Sequence, residues 1–223
     1  MKKFALIVAA AAASSAPLLA APRGEGHAGD IQIVVDNGRI MTGSIGSGAF
    51  VQQRVFASEL GEIVPNISDE PGFEADAGTF TPGAALGFDI MDAVRLWDGA
   101  DFDTVSDSTM TMSYLTFSAT SAANAGESVA GFNFLANASG EIHNHATFIL
   151  NSPATAGIYL LELRFRSAGM LDSDSFYIVF NQNQDEAIHD AAIDYVNEFI
   201  VPAPGALGVL AFAGIACARR RRA

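Results

Sequence analysis

The sharpest chemical signal in this sequence is His143-Asn144-His145. In an extended strand, residues two apart leave the same face, so both imidazoles point one way. Two imidazole nitrogens side by side suit a divalent transition metal such as zinc or copper. Glu141 lies two residues further back, on the same face at that period. His27 and His189 are the other two histidines of the chain, and either is a candidate third ligand. The competing reading is the polar face of a half-buried strand, because a His-x-His pair alone is a weak motif.

Acidic clusters are the second candidate. Asp98, Asp101, Asp103 and Asp107 crowd one segment, and Asp172-Ser173-Asp174 occupies another. Closely spaced carboxylates with backbone carbonyls suit calcium, which takes six to eight oxygens. The spacing does not match a twelve-residue EF-hand loop, and solvated acidic turns are the alternative. Catalytic patterns are poor: there is no Gly-x-Ser-x-Gly elbow, His-Glu-x-x-His helix or P-loop. Asp185-Glu186-x-x-His189-Asp190 reads as a charged helix start with a solvent face. Trp97 beside Asp98-Gly99 is a candidate sugar platform, although a tryptophan closing an apolar strand is more often core. The expectation is a protein that is not an enzyme.

The elements that must position these residues read as strands. Apolar runs at 31–35, 49–56, 88–97, 110–117, 129–135, 147–150, 158–166 and 176–180 are separated by glycines and small polar residues. In the run 158–166, Tyr159, Leu161, Leu163 and Phe165 fall on one face and Glu162, Arg164 and Arg166 on the other, an antiparallel signature. The stretch 61–86 holds three prolines and little alternation, so it reads as a surface excursion with a short hairpin at 73–80. Near the end the period changes. Ile188, Ala191, Ala192, Tyr195, Val196 and Phe199 follow helical spacing, with Asn183 or Asp185 as a cap and Pro202 as a stop. The expected fold is mainly β: an antiparallel β-sandwich or jelly roll with one C-terminal amphipathic α-helix.

The two ends differ from the middle. Met1-Lys2-Lys3, an apolar run and Leu18-Leu19-Ala20-Ala21 have the form of a signal peptide over residues 1–21, implying Sec export. At the other end, Pro202-Ala203-Pro204-Gly205 precedes an uncharged apolar stretch and Arg219, Arg220, Arg221 and Arg222. A short apolar segment closed by arginines reads as a membrane stop with a cytoplasmic basic end. Thirteen residues rise about 20 Å as a helix, against about 30 Å of hydrocarbon. Such a span suits a transient anchor.

These tail residues resemble the PEP-CTERM sorting domain of Gram-negative bacteria. The resemblance covers residues 202–223, and Ala203 stands where the signature has Glu. It implies recognition by an exosortase, transient inner-membrane anchoring, and a place at the cell envelope, the surface or the extracellular matrix, where exopolysaccharide is a partner. A plain C-terminal anchor is the alternative. More loosely, residues 141–166 are similar to domains of bacterial surface-anchored proteins, which implies no activity.

Between the ends lies one expected domain, residues 22–200. Two of the 12 basic residues are in the leader and four are in the tail, leaving six arginines, no lysine and all 25 acidic residues. The formal charge of this middle is −19, which repels nucleic acid and anionic lipid. The only cysteine is Cys217 in the tail, so the domain has no thiol chemistry. The leading expectation is an exported structural or surface protein of the envelope or matrix. The alternative is a small metal- or carbohydrate-binding module using the His143/His145 face.

Overall fold

The computed structural model describes residues 29–201. The expected signal peptide, residues 1–21, and with it His27 and the expected sorting signal, Pro202, Ala203, Pro204, Gly205 and Arg219 to Arg222, lie outside the described residues.

The chain runs β1 (Ile31–Asp36), β2 (Arg39–Gly46), β3 (Ala49–Gln52), β4 (Val55–Leu60), β5 (Ile67–Ser68), β6 (Phe73–Ala75), β7 (Ala85–Ile90) and β8 (Arg95–Leu96). It continues with β9 (Thr104–Val105), β10 (Met110–Tyr114), β11 (Phe117–Thr120), β12 (Val129–Leu135), β13 (Ile142–Asn144), β14 (Thr147–Leu150), β15 (Gly157–Ser167) and β16 (Phe176–Gln182). The helix α1 (Glu186–Tyr195) comes next and ends in a π-helical turn, Val196–Ile200. The protein is therefore mainly β, with one short helix near the C-terminal end of the described region.

Three sheets form. One has the order β13-β6-β1-β2-β3, the second β11-β10-β14-β5, and the third β12-β7-β15-β16-β4 with β8 and β9 attached beside β15. Pairing is antiparallel except between β1 and β6 and between β4 and β16, which run parallel. The tight turn Asn37-Gly38 has left-handed backbone at both positions, the conformation that matches strand twist in a two-residue hairpin.

The strand β15 carries the alternation expected of it: Tyr159, Leu161, Leu163 and Phe165 are buried in the main core. That core lies between the sheets. Phe73 on β6 meets Phe134 and Phe165 of the third sheet at 5.4 and 5.3 Å and Phe148 of the second at 6.4 Å, in tilted or edge-on contacts that aromatic rings favour. The other face of β15 and β16 is covered too. Ile158, Leu160, Tyr177 and Val179 pack under α1 against Ala192 and Val196. All seven residues of β16 are buried, as befits a strand enclosed on both faces.

Three local readings of the sequence change. The run 49–56 divides at Gln53-Arg54 into β3 and β4, which belong to different sheets. The segment 73–80 is not a surface hairpin, because Phe73 and Phe80 are buried and β6 lies inside a sheet between β1 and β13. The helix also presents a different face from the one its spacing suggests. His189, Ala192 and Val196 point inward, while Ile188 and Phe199 are exposed. The π turn, closed by the Val201 N–H donating to the Val196 carbonyl, adds a residue to the last turn and rotates the helix end relative to α1. Asp185 occupies the cap position, but its side chain makes no capping bond.

Candidate metal centre

The site at His143 is built by strand register. β13 pairs with β6 so that Asn144 lies opposite Phe73, and β1 pairs with β6 so that Ile31 lies beside the same Phe73. One step beyond that row, at the ends of the three strands, are His145, Gly72 and Asp30. Gly72 has no side chain, so Asp30 and His145 meet above it. A Cβ at Gly72 would lie 2.4 Å from Asp30 Oδ1 and 2.7 Å from the His145 ring, closer than atoms can approach. His143, two residues before His145, reaches the same point from the same face.

The resulting distances suit a metal. His143 Nε2 is 3.2 Å from Asp30 Oδ2, and His145 Nε2 is 3.7 Å from Asp30 Oδ1. All three ligand atoms lie within 4.8 Å of one another. Donors placed tetrahedrally at about 2.1 Å from zinc stand about 3.4 Å apart. His145 Nδ1 lies 3.1 Å from the Asp69 carbonyl. A carbonyl only accepts, so Nδ1 carries a proton and donates it, and Nε2 is the ring nitrogen that faces Asp30. Metal-ligating histidines commonly use this second bond to a carbonyl to fix ring and tautomer. Tyr114 donates its hydroxyl proton to Asn144 Oδ1, pinning the residue between the two histidines.

The surroundings are acidic. Glu70 Oε1 stands 3.5 Å from His145 Nδ1, and Glu70 Oε2 accepts the Gly72 N–H at 3.1 Å. Burial raises the Glu70 pKa, and the nearby carboxylates of Asp30 and Asp69 add to it, against the lowering effects of His145 and the Gly72 amide. No arginine pairs with Asp30 among the described residues. The arginine partners are instead Asp89, Asp92, Asp172 and Asp174.

The remaining candidates go elsewhere. Glu141, expected on the histidine face, is engaged by Asn137 Nδ2 at 3.0 Å and Ser139 Oγ at 3.3 Å. His189 does not join His143 and His145, because the helix carries it onto the third sheet. There its Nε2 lies 2.9 Å from the Val179 carbonyl and its Nδ1 3.1 Å from Glu59 Oε1. Burial opposes charge on this ring, but Glu59, the Val179 carbonyl and Glu186 outweigh it and the pKa is raised.

The acidic turns do not gather around a common point. Asp98 Oδ1 accepts the N–H groups of Ala100 and Asp101, and Asp101 Oδ1 accepts that of Asp103. These are local turn caps. Asp172 and Asp174 face Arg164 and Arg39. Trp97 is half-buried, packed against Phe102 at 5.1 Å and Tyr195 at 5.2 Å, as a core-edge residue rather than a free platform.

Sequence reasoning missed Asp30 and Gly72. Neither has a local signal, since each lies just outside a short strand and acts only through pairing with chain far away. Comparison with family models, characterised proteins and solved structures returns no match, so the reading of this site rests on its own geometry.

Proposed function

We propose that this protein is an exported surface or matrix component of the cell envelope that binds a divalent transition metal through Asp30, His143 and His145. The observation that carries the reading is the meeting of the His143 and His145 Nε2 atoms at the Asp30 carboxylate, with Gly72 leaving room for Asp30 and His145. Two imidazoles and a carboxylate fit zinc or copper, with coordination positions left for water or a second ligand. The leader, the Pro202-Ala203-Pro204-Gly205 tail and the arginine end support export, exosortase handling and transient anchoring. The excess of carboxylates supports a partner that is cationic or uncharged, such as a metal ion or exopolysaccharide, and disfavours nucleic acid. The protein acts by binding, without catalysis.

Zinc titration of the chelator-stripped full-length chain tests the metal reading. The parent binds Zn(II) at this site, and His143→Ala with His145→Ala removes one equivalent. Equal stoichiometry and affinity in both proteins would sink the reading. Mass spectrometry of the exported protein tests the tail. Mature protein that still carries Arg219 to Arg222 rules out exosortase cleavage.

A further inference from the structure

The second cluster lies beneath α1. His189 is 2% exposed, at an inward position that a helix ordinarily fills with an aliphatic side chain. Its Nε2 sits 2.9 Å from the Val179 carbonyl, so Nε2 carries a proton and donates it. Nδ1 faces Glu59 Oε1 at 3.1 Å, an ion-pair contact when the ring is protonated, and with a neutral ring this fully buried atom has no hydrogen-bond donor to accept from. Glu186, at the start of the same helix, brings a second carboxylate. The ligand atoms of Glu59, Glu186 and His189 all lie within 4.8 Å of one another.

A neutral ring would turn its Nδ1 lone pair towards two carboxylates, which is repulsive. No arginine pairs with Glu59 or Glu186 among the described residues. One proton on Nδ1 supplies one positive charge against two negative ones. A divalent cation supplies two and uses the lone pair as a ligand. The bond from Nε2–H to a backbone carbonyl is the arrangement that prepares a histidine for ligation. Glu59 also lines a cleft of about 180 Å³, together with Glu62, Ser68 and Asp69 and with Ile63, Val64 and Ile67, so one of the three groups is open to solvent.

We propose that Glu59, Glu186 and His189 form a second divalent-cation site that fastens α1 to β4. The cation bridges a helix and a sheet that also meet through the apolar packing around Ala192 and Val196 and the bond from His189 to the Val179 carbonyl. This site is independent of the one at Asp30.

The test uses the full-length chain, stripped with chelator and titrated with Zn(II) alone. The parent binds two equivalents, and its melting temperature rises with zinc. Glu59→Gln with Glu186→Gln keeps side-chain shape and removes both carboxylates. It binds one equivalent, or binds the second at least tenfold more weakly, and loses most of the thermal shift. His143→Ala with His145→Ala keeps that shift, so failure at either site is read separately. Imidazole ¹⁵N spectra of the parent show the His189 Nδ1 signal moving on zinc addition while Nε2 stays protonated. Retention of both equivalents within twofold affinity by the glutamine pair overturns the proposal. So does a His189 Nδ1 that remains protonated at saturating zinc.

Discussion

The Asp30–His143–His145 cluster stands at an open sheet end, whereas the Glu59–Glu186–His189 cluster is covered by a helix. His143 and His145 are 54% and 37% exposed at the side chain, while His189 is 2% exposed. In both places a histidine gives one ring nitrogen to a backbone carbonyl and turns the other towards carboxylates. The chemistry is shared, but the structural consequence differs. At the open end the side chains are exposed and, on the proposed function, their loss costs binding. Under the helix the same ring is part of the packing, and its loss costs stability as well.

The widest separation of those two consequences comes from His143→Ala with His145→Ala. Zinc affinity at the exposed site falls about 100-fold, equivalent to about 2.7 kcal/mol. The melting temperature of the zinc-free protein barely moves, because exposed substitutions are usually within about 0.5 kcal/mol. Calorimetric titration and a thermal scan on the same sample check both halves. A large drop in zinc-free stability would show that the open cluster is structural and break the contrast.

Gly72→Ala is the subtler attack on the same site. The new methyl group meets the ends of Asp30 and His145 rather than backbone, so those side chains swing aside. Zinc binding weakens about tenfold, the lower range for disturbing a ligand's support. An unchanged dissociation constant would mean that Asp30 and His145 need not meet over this residue.

His189→Leu should behave in the opposite way. It keeps the inward position apolar but removes the hydrogen bond from the ring to the Val179 carbonyl, at a cost of about 1 kcal/mol even without zinc. Urea unfolding in chelator measures it. A variant as stable as the parent would place the buried ring outside the packing that holds α1.

Asp92 offers a carboxylate held by arginine rather than histidine. Its Oδ2 accepts from Arg95 Nε at 2.9 Å, and its Oδ1 accepts the Gly126 and Ala93 amides at 2.7 and 2.8 Å. Burial raises its pKa, but these bonds outweigh burial and hold it below the ordinary value. A depressed carboxyl stabilises the fold above its unfolded pKa of about 3.9 and loses that contribution as pH falls through the folded value. Asp92→Asn should therefore cost about 1 kcal/mol at neutral pH, with the difference from the parent shrinking in acid. A gap that persists at pH 2 would assign the effect to packing. The smallest change is expected from Phe199→Ala, within about 0.5 kcal/mol, since this ring is 66% exposed. A loss comparable to His189→Leu would show that the outer face of the helix end is covered.

Much of the architecture is legible in the chain. Alternation in 158–166 names the residues that β15 buries, and the spacing after residue 185 locates the helix. The same period of two puts His143 and His145 on one face. The stretch 61–86 reads as a surface excursion because its buried residues, among them Phe73, Ala75 and Phe80, are scattered among exposed ones, β6 is only three residues long and too short to show alternation, and prolines and glycines surround it. Phe73 carries its weight through contacts with three distant strands, which no local window contains. The helix face differs from its spacing for a related reason. Periodicity favours the stripe with the most apolar residues, whereas the inward side is set by the groups the sheet offers, here the Val179 carbonyl and Glu59.

The sequence by itself determined the β-rich composition, the position of the helix, the acidity of the middle and the shared face of the His-x-His pair. These depend on local backbone geometry and on charge, which involve neighbours a few residues apart. Only the tertiary structure decided that Asp30 completes the exposed site, that Gly72 leaves it room, and that His189 turns inward to Glu59. Each of those depends on the parallel pairing of β1 with β6 or on α1 lying over β16. Such pairings join residues far apart in the chain by burying surfaces that carry no record of their partner in the local pattern.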